Sequence, residues 1–355
     1  MITILYAYRN REIARIQQSL ESLSIQGSAF RVVFVDYGSE QTLASRVKTL
    51  VESYPFATYV FHPTNNQPWN KCKALNSVIK NCNSTHCFVA DVDMIFHPDF
   101  ITTLVEESKK EIITYFQVGF LNEKETQRDV LFEEYKVTHI SEEGATGMTL
   151  FPVKALNEIR GFDEFFHFWG GEDTDIHNRL KKGGHVVQFY TEKLLMLHQW
   201  HPSYRKRETR RLSQDLQLSN IVRINYTHML TANSHDFISN QNWGEILTQE
   251  EYQLLENTAV TVTLLNRKEI VDHFLFSTLH HFKDGILSVK FEADSFQKTL
   301  KYKAKKLLGK TVPEYYSLKE INDKLLLHII SFYHQFPYSY QVSNDLKSIV
   351  FKIKK

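Results

Sequence analysis

Cysteine is scarce in this chain, which has 355 residues and only three cysteines, Cys72, Cys82 and Cys87. An odd number at these spacings fits neither a disulfide framework nor a paired-cysteine zinc site, and it is typical of a reducing compartment. The first apolar run is too short for a signal peptide, and none approaches the roughly 20 apolar residues of a membrane span. We therefore expect a cytoplasmic protein, which could still touch the inner face of a membrane peripherally.

Excess charge of one sign is also lacking, since 42 lysines and arginines face 41 acidic residues, giving a net charge of +1. Such a chain has no long-range attraction for nucleic acid, so we expect no nucleic-acid partner and only local polyanion sites. Hydrophobic residues make up 42% and aromatic residues 13% of the chain, which is enough for a buried core and excludes general disorder. At roughly 150 residues per domain, the length predicts two domains.

Apolar runs alternate with helical periodicity through the first half of the chain. Four of these runs predict strands, at 2–8, 31–36, 57–61 and 86–93. Their alternation with helices predicts an α/β fold with a Rossmann-like, mostly parallel sheet flanked by helices. Ligands of such sheets bind beyond the carboxyl ends of the strands, where Asp36, Asp91 and Asp93 fall.

The pattern changes along the second half of the chain. Three further runs look like strands, at 147–151, 185–190 and 194–198. Beyond about residue 206 the helical periodicity dominates. We therefore predict one domain at 1–205 and a mainly helical region, without an assigned role, at 206–355.

One window of this second region is strongly biased in charge. Six lysines occur there without an intervening acid: Lys298, Lys301, Lys303, Lys305, Lys306 and Lys310. The simpler interpretation is a solvated helix face, which the pattern alone favours. The alternative is contact of the 298–310 segment with an anionic membrane or with a polyanionic acceptor.

The tripeptide Asp91-Val92-Asp93 follows the apolar run at 87–90. Residues two apart in an extended strand face the same way, so these two carboxylates would lie on one side of a strand end. Such a pair makes half of a site for Mg²⁺ or Mn²⁺, whose remaining ligands would include oxygens of a diphosphate. The position after a buried strand favours a metal site over a surface turn.

Two histidines, His198 and His201, follow the predicted strand at 194–198. A neutral imidazole could complete the metal shell, and His198 is the preferred candidate of the two. The basic cluster Arg205-Lys206-Arg207 comes next and could bind phosphate oxygens.

The segment 161–184 begins its charged part with acids and ends it with bases before a glycine, which predicts one short helix. Asp175 and Arg179 are spaced for an ion pair within that helix. Asp173 shares a face with apolar residues and follows Trp169-Gly170-Gly171, where glycine allows close backbone approach and the indole can stack on a sugar ring. A helix cap alone does not explain that acid, so we expect a functional role for it.

Two segments near the sheet edge carry cations where a nucleotide would lie. They are YAYRNR (6–11), with Arg9 and Arg11, and WNKCKALN (69–76), with Lys71 and Lys73. Taken alone, these cations could equally be ordinary residues at helix starts.

Together with VVFVDYGS, FVADVD and GFDEFFHFWGGEDTDIHNRL, these segments resemble, in order, the nucleotide-sugar glycosyltransferases with the GT-A fold. The chain is most similar to the β-1,4-galactosyltransferases and the bacterial chondroitin-polymerase-type enzymes, over roughly residues 1–201. The resemblance implies a UDP-sugar donor, a glycan or lipid-linked glycan acceptor, and Mn²⁺ or Mg²⁺ as cofactor. It also implies inverting transfer of a hexose, with galactose or an N-acetylhexosamine favoured, in bacterial surface polysaccharide synthesis.

The resemblance further implies roles for individual residues. The nucleotide sugar would be bound by Tyr8, Arg9, Arg11, Asp36, Lys71 and Cys72. The metal ligands would be Asp91, Asp93 and His198, and the acceptor site would be shaped by Trp169, Gly170, Gly171 and Glu172. Asp173 would be the catalytic base. Two positions depart from the galactosyltransferases: Ala7 replaces a proline, and Leu195 replaces a metal-ligating methionine, which leaves one coordination position to water or another residue.

Two alternative functions stay open. A nucleotidyltransferase that makes sugar nucleotides could also use an Asp-x-Asp motif, but it normally has a glycine-rich phosphate loop, which YAYRNR lacks. A non-catalytic carbohydrate-binding protein on a degenerate GT-A fold is the other alternative. Degeneration should remove the base or the metal acids first, yet Asp91, Asp93 and Asp173 are all present.

Overall fold

The computed structural model describes residues 1–202, 211–232 and 242–355. The chain divides into two units, the first made of Met1–Asn65, Trp69–Tyr204 and Val222–Ile246, and the second of Asn66–Pro68, Arg205–Ile221 and Leu247–Lys355. The predicted boundary at residue 205 lies outside the described residues, and the first unit also includes a later return segment, 222–246. Among the described residues, no helix is long and apolar enough to cross a membrane.

The first unit combines strands and helices in alternation. Its strands are β1 (Ile2–Tyr8), β2 (Phe30–Tyr37), β3 (Ala57–His62), β4 (His86–Ala90), β5 (Met94–Phe96), β6 (Ile113–Phe116), β7 (Gly119–Phe120), β8 (His139–Ile140), β9 (Thr149–Pro152), β10 (Val187–Tyr190) and β11 (Met196–His198). Its helices are α1 (Ile13–Ser24), α2 (Gln41–Glu52), α3 (Lys71–Ile79), α4 (Phe100–Ser108), α5 (Glu123–Thr126), α6 (Val153–Glu158), α7 (Glu172–Lys182) and, leading into the return segment, α8 (Ile221–Ala232). A 3₁₀ turn spans Phe132–Glu134.

Seven of these strands form one large sheet in the order β10-β6-β9-β4-β1-β2-β3. β9 is antiparallel to both of its neighbours, and the other pairs are parallel. This sheet confirms the predicted mostly parallel α/β architecture. A second sheet, in the order β5-β11-β7-β8, lies in the same unit.

Helices cover both faces of the large sheet because alternate strand residues point to opposite sides. Ile4 and Tyr6 of β1 belong to a core that includes the apolar residues of α1, α2 and α4. Leu5, between them, belongs to the opposite core, which includes the apolar residues of α3, α6 and α7. With both faces covered by helices, a ligand of such a sheet binds beyond the carboxyl ends of the parallel strands.

The second unit contains a sheet as well as helices. Its strands β12 (Val262–Leu265), β13 (Ile286–Glu292), β14 (Tyr338–Val342) and β15 (Ser348–Lys354) pair in the order β12-β13-β15-β14. Its helices are α9 (Gln249–Asn257), α10 (Lys268–His273), α11 (Leu279–His281), α12 (Leu300–Leu307) and α13 (Leu318–Phe332), with a π-helix at Phe274–Thr278 and a 3₁₀ turn at Ser295–Lys298.

The helices predicted for the C-terminal region are present, but its four-stranded sheet is not predicted by the sequence pattern. Polar side chains at buried positions of the strands hide the alternation that marks a half-buried strand. Ser288 in β13 is fully buried, and Lys352 in β15 is buried with its ammonium donating to the carbonyls of Leu255 and Glu256.

Candidate active site

The two acids after β4 do not lie in an extended strand, which corrects the expectation that they share a face. β4 ends at Ala90, and Asp91 to Asp93 form the turn that leads into β5. As a result, the Asp93 side chain is buried, whereas the Asp91 side chain is 44% exposed. The two carboxylates therefore have different neighbours.

Asp93 lies beside two histidines. Its Oδ1 is 3.7 Å from Nε2 of His198, and its Oδ2 is 3.2 Å from Nε2 of His201. One donor atom from each of the three residues lies within 4.8 Å of the others, as required for a shared metal ion. The structure thus brings the preferred candidate, His198, to Asp93, and it adds His201. Asp91 is not part of this group.

The register of the small sheet explains this arrangement. β11 is antiparallel to β5, and His198 stands opposite Met94, the residue after Asp93. The chain continues past β11, where the amide of Gln199 donates to the carbonyl of Asp93. One carboxylate and two imidazoles are a donor set that suits Mn²⁺ and related transition metals better than Mg²⁺, which prefers oxygen ligands. The residues present therefore fit a divalent metal.

Lys71, the first residue of α3, joins the other carboxylates of the site. Its Nζ lies 3.3 Å from both carboxylate oxygens of Asp173, 3.5 Å from Oδ1 of Asp91 and 3.9 Å from Oε1 of Glu172. Burial alone lowers the pKa of this ammonium, but the three acids outweigh it and raise the pKa well above its usual value. Lys71 therefore stays charged and draws Asp173 towards the acidic end of β4.

Asp173 lies half-buried in the first turn of α7. It has Lys71 on one side and Gly147, which comes just before β9, on another. A Cβ added at Gly147 would stand 3.3 Å from Oδ2 of Asp173, closer than an ordinary van der Waals contact, so glycine at this position leaves room beside the carboxylate. Burial raises the pKa of Asp173, the ammonium of Lys71 lowers it, and the charge of Asp91 raises it. Together these effects leave the pKa of Asp173 above its usual value. A carboxylate with a raised pKa and open space beside it is suited to accept a proton.

The loop before α7 has an unusual backbone. Phe168, Gly170 and Gly171 all have positive φ, at 64°, 101° and 94°, in the region where glycine is favoured. Oε2 of Glu172 accepts a hydrogen bond from the amide of Gly170 at 2.9 Å. Glu172, which is predicted to shape the site of the acceptor glycan, therefore supports the loop. Trp169 is 41% exposed, as an acceptor-stacking residue would need to be.

The return segment holds this loop from the other side. Asn225, a buried residue of α8, donates from its amide nitrogen to the carbonyls of His167 and Trp169. The sequence pattern does not identify this residue, because nothing near it points to a loop 56 positions earlier. On the same helix as Asp173, the predicted ion pair between Asp175 and Arg179 is confirmed, at 2.7 Å.

Three of the residues predicted to bind the nucleotide are buried in the fold. Asp36 is fully buried, and its oxygens accept hydrogen bonds from the amide of Ser39 and the hydroxyl of Tyr59, both at 2.7 Å. Tyr8 is buried in the core and donates its hydroxyl to the carbonyl of Arg11. Cys72 is enclosed in the core beneath α3. In this conformation all three support the sheet edge, and their contact with the nucleotide stays a prediction.

The two predicted arginines differ. The guanidinium of Arg9 donates to the carbonyls of Gly38 and Thr64, which ties the ends of β1, β2 and β3 together. Arg11 is half-buried and contributes a favourable charge interaction that lowers the pKa of Asp91. The cluster Arg205-Lys206-Arg207 lies outside the described residues.

Comparisons with known proteins agree with this geometry. A sequence model of glycosyl transferase family 2 matches residues 3–150, and a model of the N-terminal domain of galactosyltransferase matches residues 126–201. β-1,4-Galactosyltransferase 5 from Danio rerio is 28% identical over 136 residues. That alignment covers 37% of this chain and only 32% of the relative, so the chain spans about a third of its length.

Two solved structures are similar to this chain at low sequence identity. TarS from S. aureus is 14% identical with a TM-score of 0.47, over 79% of this chain and 45% of that one. The mannosyltransferase PcManGT from Pyrobaculum calidifontis, solved with GDP-Man and Mn²⁺, is 14% identical with a TM-score of 0.42, over 65% of this chain and 70% of that one.

The mostly parallel sheet, the acids at its edge and the two sequence models that together cover residues 3–201 define the class of this protein. It contains a glycosyltransferase domain with the GT-A fold.

Proposed function

We propose that this chain is an inverting, metal-dependent transferase that moves a hexose from a UDP-sugar to a hydroxyl of a glycan. The observation that carries the proposal is the convergence of Asp173 and Asp91 on the single ammonium of Lys71. It places an acid from the start of α7 beside the end of β4, where the donor diphosphate would lie. Galactose or an N-acetylhexosamine is the favoured sugar, supported by the matches to galactosyltransferases.

Asp173 is the proposed base. Inversion in one displacement needs a carboxylate that removes the proton of the acceptor hydroxyl on the face opposite the departing nucleotide. Asp173 has the space beside Gly147 for that hydroxyl. Glu172 is less suited, since its carboxylate is buried and bonded to the amide of Gly170. Trp169, exposed beside the same helix end, would stack on the acceptor sugar.

Asp93, His198 and His201 would hold the metal, for which we propose Mn²⁺. When bound, the ion would neutralise negative charge on the departing nucleotide diphosphate. Lys71 would then offset the mutual repulsion of the nearby acids and orient Asp173 towards the acceptor. Asp91 would remain partly exposed to the donor.

We further propose that the reaction contributes to a bacterial surface polysaccharide, with a glycan or lipid-linked glycan as acceptor. A cytoplasmic setting would keep the three free cysteines reduced. Binding pockets for the uridine would be formed next to Arg11, at the end of β1.

The experiment that tests the proposal combines calorimetry and turnover. Binding of UDP should require Mn²⁺, and a UDP-sugar with a glycan acceptor should release UDP and give a product of inverted anomeric configuration by NMR. UDP binding without release for any acceptor would instead indicate a carbohydrate-binding protein. Formation of UTP that depends on pyrophosphate would indicate a nucleotidyltransferase, and a retained configuration would exclude Asp173 as the base of a single displacement.

A further inference from the structure

Helix α12 of the second unit is unusual because it buries none of its side chains. Its apolar residues are nearly free in solvent: Leu300 is 83% exposed, Leu307 is 89% exposed, and Leu308, which caps the helix, is 69% exposed. Leucine normally enters a core, and three such side chains on eight helical residues and a cap make a concentrated exposed apolar surface.

The orientation of the helix shows that these leucines point away from the body of the unit. The ring of Tyr302 makes edge contacts with Phe296 and Tyr315, and its hydroxyl donates to the carbonyl of Pro313. At about 100° per residue, Leu300, Leu307 and Leu308 lie together on the arc opposite Tyr302. One side of α12 is therefore anchored, and the other presents leucine to the surroundings.

The charges of the segment 298–310 surround this apolar arc. Five of its six lysines are exposed, and Lys301 and Lys303 flank the leucines on the helix surface. Among the described residues, none of the six forms an ion pair with an acid. Positive charge at the rim of an outward apolar face matches a surface that is anionic outside and apolar beneath, as a bilayer of acidic lipids is.

We propose that the segment 298–310 binds the surface of an anionic lipid bilayer, with Leu300, Leu307 and Leu308 inserted at the boundary of the acyl chains. The lysines then lie at the level of the headgroups. A polyanionic glycan would satisfy the lysines but offers no apolar phase for the leucines, so the observations favour lipid. This inference does not depend on the proposed transfer reaction.

The test uses the full chain and sedimentation with two kinds of vesicle. Vesicles of phosphatidylcholine with about 30% phosphatidylglycerol should bind the protein, and vesicles of phosphatidylcholine alone should bind it weakly. The triple variant Leu300→Ser, Leu307→Ser, Leu308→Ser should reduce binding to the anionic vesicles at least about tenfold. A matched control with two exposed leucines of the same unit, Leu254→Ser and Leu346→Ser, should bind within about twofold of wild type.

A second measurement does not rely on the triple variant. Leu307→Cys in a Cys82→Ser background, labelled with an environment-sensitive dye, should shift to shorter emission wavelength only with anionic vesicles, because the other two cysteines are buried. The proposal is overturned if the dye shows no shift, or if the leucine variant binds vesicles like wild type. Equal loss of vesicle and dextran sulfate binding in Lys301→Glu, Lys303→Glu, with no effect of the leucines, would assign the segment to a soluble polyanion instead.

Discussion

The ends of β2 and β4 lie at the same edge of the large sheet, on either side of β1, and each carries aspartate: Asp36 is the penultimate residue of β2, and Asp91 and Asp93 follow β4. At the end of β2, Asp36 is buried and accepts hydrogen bonds from Ser39 and Tyr59. At the end of β4, Asp93 is also buried, but its neighbours are two histidines contributed by a distant part of the chain.

The two strand ends differ in which groups surround the aspartate carboxylates. The turn after β2 and the adjacent strand β3 supply Asp36 with neutral donors, so its carboxylate holds these two segments together. The turn after β4 provides no such donors to the side chains of Asp91 and Asp93, which instead meet Lys71, His198 and His201. The acids at the two strand ends therefore differ in their partners, which are neutral hydrogen-bond donors at β2 and a lysine and two histidines at β4.

The largest expected effect is on the rate of transfer. It distinguishes Asp173, which lies beside the end of β4, from Asp36 at the end of β2. Asp173→Asn should reduce transfer about 10²- to 10⁴-fold, because the proposed base is lost while its shape is kept. Binding of UDP with Mn²⁺ and the melting temperature should stay close to wild type. The control Asp36→Asn, at the other strand end, should keep transfer within about tenfold. Turnover of the Asp173 variant at the parental rate would require another base.

The second expected effect is on folding. Asp36→Ala should lower the free energy of unfolding by about 2–4 kcal/mol, because the buried amide of Ser39 and the partly buried hydroxyl of Tyr59 lose their acceptor. Asp91→Ala should change it by less than about 1 kcal/mol, since a partly exposed ion pair contributes little. Urea denaturation followed by circular dichroism measures both. Equal destabilisation by the two variants would remove the distinction between the strand ends.

The third expected effect concerns the metal. His198→Ala and His201→Ala should each weaken Mn²⁺ binding by about 10- to 100-fold, measured by titration calorimetry, because each removes one donor of the group. His139→Ala is the matched control, since that exposed ring stacks on Phe120 next to His198 without reaching Asp93. If His201→Ala behaves like the control, the ligands of the group reduce to Asp93 and His198.

The smallest expected effect is a dependence on pH. Burial raises the pKa of Asp36, and the hydrogen bonds from Tyr59 and Ser39 only partly oppose it. The folded chain therefore holds this proton more tightly than the unfolded chain, and wild-type stability falls as pH rises from about 4 towards the raised pKa. In Asp36→Asn that decline should be absent, so the variant should gain relative to wild type as pH rises. A constant difference across this range would contradict the raised pKa.

Much of the large sheet and part of the site could be predicted from local pattern. The strands of the first half, helix α7 and the pair Asp175–Arg179 depend on residues close in sequence, and their spacing reveals them. The pattern also identified Asp93, which lies in the short turn after the apolar strand β4, and His198, which ends β11.

The rest depends on pairing between distant segments, which spacing does not encode. His201 joins the site only because β11 pairs with β5, and Lys71 meets three acids from two other segments. The burial of Asp36 follows from Tyr59 on the neighbouring strand. In the second unit, buried polar residues such as Ser288 conceal the strands.

The loop at Trp169 has a consequence for redesign of acceptor choice. Its path is set by the backbone of Phe168, Gly170 and Gly171 and by the two hydrogen bonds that Asn225 donates to main-chain carbonyls. These restraints act on the main chain, so they do not depend on which side chain stands at position 169. Libraries aimed at new sugars should therefore vary position 169 and keep Gly170, Gly171 and Asn225.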